Sequence, residues 1–152
     1  MRKLLAIVCV GLLIPLGAAN SQDDAVKKES AKLQGDWQVV SSEEDGRATP
    51  DFIVENLKIA IKGDQITLKG VEELMKKFGK VTLKVDPSST PKFIDFKVEA
   101  GSEKNNEYEG IYELKGDELK ICVSVVSRNR PDEFKTKAGS NRALFVLKRA
   151  KK

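Results

Sequence analysis

The stretch Tyr108–Val126, YEGIYELKGDELKICVSVV, limits the fold more than any other part of the chain. Two alternating runs flank Gly116-Asp117, and a two-residue loop of this kind joins antiparallel strands in a fixed register. In that register Leu114 faces Leu119, Tyr112 faces Ile121, Gly110 faces Val123 and Tyr108 faces Val125. On the other face Lys115 meets Glu118 and Glu113 meets Lys120, two opposite-charge pairs. One apolar face backed by a charged face predicts an antiparallel sheet covering a core. Gly116 and Asp117 are then structural turn residues.

The same alternation recurs along the chain. Trp37 and Val39 alternate with Asp36 and Gln38 in a strand that ends at Asp45-Gly46. Thr49-Pro50 reads as the N-cap and first position of a short helical turn over Asp51 to about Glu55. Leu57, Ile59 and Ile61 lead into a second turn, Gly63-Asp64, with Ile66 and Leu68 on the return. Val71, Leu74, Met75 and Phe78 fall at helical spacing, so Gly70–Phe78 is either a helical turn or an irregular strand end. Val81–Val85, Ile94–Val98 and Ala143–Leu147 complete about eight short strands. Closing such a meander removes its edges, which predicts a small up-and-down antiparallel β-barrel with one or two short helical turns. A β-sandwich is the alternative.

The chain begins with a basic Met1-Arg2-Lys3, an apolar run from Leu4 to Leu16 and the small residues Gly17-Ala18-Ala19. This is the layout of a signal peptide over residues 1–19, cleaved near Ala19, with an uncleaved anchor as the alternative. The run is shorter than the roughly 20 residues a spanning helix needs, so no stable membrane span is expected after cleavage. An exported protein, periplasmic or extracellular, is predicted, with residues 20–32 a polar tether, helical from about Ala25, and residues 33–150 a single domain. Loss of Arg2 and Lys3 lowers the formal net charge of +4 by two. The remaining charges are interspersed, as on a solvated sheet face, so nucleic acid is not an expected partner. Cys122 is the one cysteine beyond the leader, so the barrel has no internal disulfide and must be held by its core.

There is no histidine. This excludes Ser-His-Asp and Cys-His catalysis and His-ligated zinc. Glu43-Glu44-Asp45-Gly46 lacks calcium-loop spacing, and phosphate-binding glycine loops are missing. No catalytic residue, metal or cofactor is assigned, and the chain reads as a non-enzyme and a monomer.

Five segments, Leu33–Trp37 (LQGDW), Pro91–Asp95 (PKFID), Gly110–Cys122 (GIYELKGDELKIC), Arg130–Phe134 (RPDEF) and Leu144–Arg149 (LFVLKR), resemble in order the uncharacterised exported lipocalin-like domain family expanded in planctomycete bacteria. The resemblance spans about Leu33–Arg149. It implies a small lipocalin-like barrel and no particular activity. It further implies that Gly35 and Trp37 on the first strand meet Arg149 near the end of the last, with the guanidinium over the indole as a structural plug.

Two functions follow as expectations. One is binding of a small apolar ligand inside the barrel, with Tyr112 among the inward contacts. The alternative is a protein-interaction or inhibitor-like module acting on an extracellular protein through barrel-end loops, Pro87–Pro91 and Arg128–Phe134. In that reading Arg130 and Phe134 are the contact residues. The competing structural role pairs Arg130 with the outward Asp95, or with Asp86, and tucks Phe134 under a loop that crosses an open end.

Overall fold

The computed structural model describes residues 20–126 and 128–151. The expected signal peptide lies outside the described residues. Alternation becomes strand: β1 (Gly35–Glu44), β3 (Lys58–Lys62), β4 (Gln65–Lys69), β5 (Lys80–Asp86), β6 (Lys92–Ala100), β7 (Glu107–Lys115), β8 (Glu118–Ser124) and β9 (Arg142–Arg149) pair in sequence order, all antiparallel. β9 then pairs back onto β1, and the eight strands close into an up-and-down barrel. β2 (Arg47–Ala48) merely extends the far end of β1. A sandwich is ruled out by this continuous ladder.

The hairpin has the register its loop dictates, with Leu114 opposite Leu119, Tyr112 opposite Ile121 and Gly110 opposite Val123. Its ladder stops there. Val125 donates its backbone N–H to the Asn141 carbonyl instead of pairing with Tyr108. The outer charges also rearrange. Lys115 pairs with Glu113 along its own strand at 3.0 Å, and Lys120 lies over the Phe134 ring.

Inward side chains form one core that includes Trp37, Val39, Ile61, Leu83, Ile94, Val98, Tyr112, Leu119 and Leu147. Three helices cover the two barrel ends. Residues 20–32, expected as a tether, belong to α1 (Asn20–Leu33), which docks on the barrel. Its barrel-facing stripe is Val26, Glu29 and Leu33, spaced i, i+3, i+7, and that spacing is what a helix needs to present one face. α2 (Asp51–Asn56) and α3 (Glu72–Lys77) lie at the opposite end. Pro50 is the N-cap of α2 rather than its first residue, and Thr49 turns its hydroxyl to Ser42 Oγ at 2.9 Å. α3 settles the choice at residues 70–78 in favour of helix. It follows Gly70, whose φ is 90° and where a Cβ would lie 1.9 Å from the Asn56 carbonyl oxygen. Only a glycine lets the α2 end and the approach to α3 touch there.

Candidate functional site: the two barrel ends and the outer strap

One end is sealed. Leu33 and Trp37 are fully buried, and the indole Nε1 donates to the Leu33 carbonyl at 2.9 Å. Arg149 stands opposite Trp37 in the ladder, with its guanidinium carbon 4.3 Å from the ring centroid. Its NH1 and NH2 groups donate to the carbonyls of Gln34 (2.7 Å) and Lys32 (2.9 Å). A planar cation thus satisfies carbonyls that a helix leaves open at its C-terminus. Gly35, with φ 119°, lies against that same guanidinium and turns the chain from helix to strand. The Trp37–Arg149 plug expected from the sequence is present, and it does more than expected by capping α1.

Beneath α1 lies a buried carboxylate with two half-exposed ammonium partners. Glu29 is 5% exposed. Its carboxylate accepts from Lys92 Nζ at 2.5 Å, Lys32 Nζ at 2.9 Å and the Tyr112 hydroxyl at 3.2 Å. Burial opposes ionisation here, but the two ammonium groups outweigh it and hold the Glu29 carboxyl below the usual glutamate range. Burial and the neighbouring Glu29 charge push the Tyr112 phenol strongly upward, so it stays a neutral donor. Tyr112, expected among the ligand contacts, is therefore committed to the helix at the sealed end.

The opposite end is only partly covered. Ile59 pairs beside buried Trp37 and Leu68 beside Ile59, so both point inward. Phe96 pairs with buried Leu83, Tyr108 with Phe96 and Phe145 with Ile121, so these point inward as well. All five keep partial solvent exposure. Val54 of α2 and Leu74 of α3 pack against the same core, as do Val71 and Phe78 flanking α3, with Phe78 edge-on to Tyr108 at 6.3 Å. This end, the mouth, is thus edged by partly exposed apolar side chains. Its helices also carry two exposed large apolar groups, Phe52 at 67% and Met75 at 43%. On the rim the Tyr108 hydroxyl donates to Glu103 at 3.0 Å, and Lys77 approaches the same carboxylate at 3.8 Å.

The wall between β4 and β5 is thin there. Only Gln65–Thr82 and Ile66–Val81 pair in register, whereas the β5–β6 ladder runs the full length of β5.

Arg130 and Phe134 are nowhere near the mouth. Their loop does not cross an open end; it folds back as a strap over the outer wall of β6–β9. Arg130 NH1 donates to Asp95 Oδ1 at 2.6 Å and to the Gly110 carbonyl at 2.7 Å, and its guanidinium stacks 4.1 Å over Phe93. Asp95 is the partner, as expected of an outward residue. Asp86 instead accepts from Ser88 and Ser89 and stiffens its own turn. Pro131 is buried under the strap, and Asp132 pairs with Arg142 at 3.0 Å. The strap leaves Ile111 and Cys122, which point away from the core, fully buried. Arg130, Phe134 and Tyr112 therefore do not form one site.

Sequence reasoning missed Glu29 and the mouth. The first was detectable, because Val26, Glu29 and Leu33 share a helical face. The second was not, because residual exposure depends on how the ends are covered. Among the described residues, no group of three or more Cys, Asp or Glu side chains is arranged to hold a metal ion. Comparison with protein-family models, with curated proteins and with solved structures finds no match to this chain.

Proposed function

We propose that the protein is an exported, non-catalytic binding barrel that takes a small apolar ligand at the α2/α3 end. The observation that carries this reading is a set of inward apolar side chains that keep partial solvent exposure beside α2 and α3. Inward Ile59, Leu68, Phe96, Tyr108 and Phe145 remain partly exposed, although Val98, Ala143 and Leu57 nearby are buried and inward Leu114 at the α1 end is also partly exposed. An apolar recess with a few polar groups on its rim is the usual form of a small-molecule site. Tyr108, Glu103 and Lys77 supply such a rim. The chain has no histidine, and the Glu29 carboxylate is fully engaged, which favours binding over chemistry.

The test is a titration of isotope-labelled protein with decanoate and with the dye ANS. Ligand-induced shifts should concentrate on the methyl groups of Ile59 and Leu68 and leave those of Leu33 and Leu119 in place. Saturating ligand without any shift at the mouth refutes the reading. Exposed Phe52 and Met75 favour a second reading, a protein partner docking on the same rim. In that case replacing both by serine abolishes partner capture from extracellular fractions, and decanoate shifts no mouth methyl.

A further inference from the structure

α1 is fastened in two different ways along its length. Its last turn is pinned by Arg149 on the Lys32 and Gln34 carbonyls, by Trp37 Nε1 on the Leu33 carbonyl and by the buried Leu33 side chain. The Gln34 amide adds a bridge to the β3–β4 turn, accepting from Gly63 N at 2.7 Å and donating to its carbonyl at 3.0 Å. Earlier in the helix, Val26, Glu29 and Ser30 are the described side chains with appreciable burial. Beside them a recess of about 360 Å³ separates α1 from the β3–β4 turn, lined in part by Val26, Ala31, Gly63 and Leu83. The helix is thus loosely seated on one flank and charge-fastened on the other.

We propose that α1 is a hinged plug: its pinned last turn stays on the barrel, while the preceding turns are held by a latch of buried Glu29 and Tyr112 with half-exposed Lys92, and swing out when Glu29 loses its charge. The hinge lies between Glu29 and Leu33, and opening uncovers Tyr112 at the sealed end. A protonated Glu29 cannot form ion pairs with Lys92 and Lys32, and two ammonium groups would then face a neutral acid. Other charged groups on elements packed against α1 include Lys80, Lys84 and Asp86 on β5, Asp64 at the β3–β4 turn and Arg149 on β9, with Lys27 on α1 itself. Asp86 is already satisfied by Ser88 and Ser89, so it does not replace the latch. The sign follows from the depressed Glu29 carboxyl. The latch is intact above the ordinary glutamate range, about 4.3, and fails as pH falls below it.

Amide hydrogen exchange on Glu29→Gln at neutral pH tests this directly. Exchange in the first turns of α1 should quicken at least about tenfold, the factor that 1.4 kcal/mol produces, while β6–β9 amides stay as protected as in the wild type. Lys92→Met, which leaves Glu29 with one ammonium group, should move the opening of α1 to higher pH. Unchanged α1 protection in Glu29→Gln overturns the proposal. So does equal loss of protection in α1 and the barrel, which would make the helix part of one cooperative unit. Neither readout involves a ligand, so failure here is distinct from failure of the binding reading.

Discussion

Replacing Arg149 tests how a single side chain closes the barrel. Three of its nitrogens have separate partners, and the contributions are unequal. The bond to the Gln34 carbonyl is part-buried and charge-assisted, worth about 1.5 kcal/mol or more. The stack on Trp37, which is fully buried, adds roughly 1 kcal/mol. The Lys32 carbonyl is exposed and exchanges Arg149 for water at little cost. The Asp117 carboxylate is 84% exposed, and such a pair contributes roughly 0–1 kcal/mol. Arg149→Met should therefore lose about 2–3 kcal/mol. Arg149→Lys should lose nearly as much, because an ammonium group cannot reach two carbonyls and stack as a plane. Urea unfolding followed by the fluorescence of the single tryptophan reads this out, with the midpoint falling by about 1 M at ordinary slopes. Full retention of stability in Arg149→Lys would refute the geometric argument and leave only charge. A loss under about 0.5 kcal/mol in both variants would refute the plug itself.

Arg130→Ala should cost about 2–3 kcal/mol, since it strips a charged donor from the buried Gly110 carbonyl, whereas Asp95→Asn should cost under about 1 kcal/mol because Asp95 is half exposed. A near-silent Arg130→Ala in thermal unfolding would return that residue to the list of partner contacts. The two tyrosines should not ionise in the folded state in the ordinary phenol range, because burial raises both, Tyr112 most. Folding favours the neutral phenol, so stability is complete below about 10 and falls as pH rises above it. In Tyr108→Phe, phenolate absorbance should then appear only with loss of structure; titration of Tyr112 in intact protein would contradict the Glu29–Tyr112 contact.

The barrel was legible because its signals are local. A two-residue loop sets the register, and alternation names the inward face before any neighbour is known. Arg130 was also legible as a loop anchor, with outward Asp95 and Asp86 as its two candidate partners; the structure selects Asp95. The course of that loop was not. Nothing within Ser127–Asn141 says whether it spans an end or lies on a wall; that depends on Phe93, Gly110 and Ile111, which are distant in sequence. α1 was misread for a related reason. Its composition is polar, and one of its barrel-facing residues is a carboxylate, so an average over the segment looks like a solvated tether. The partners that make Glu29 a buried residue, Lys92 and Tyr112, come from β6 and β7.

The strap has a chemical consequence for the lone thiol. Cys122 is fully buried beneath it, with Sγ 3.9 Å from the Lys135 carbonyl, and burial raises the thiol above its ordinary range. In an oxidising compartment an accessible single cysteine is a handle by which two molecules become one. Here the sulfur meets another thiol only after Arg130 releases the Gly110 carbonyl and the loop lifts. The outer wall of this barrel is in that sense a shutter, and the Arg130 bond to the Gly110 carbonyl that holds it down protects the covalent identity of the molecule.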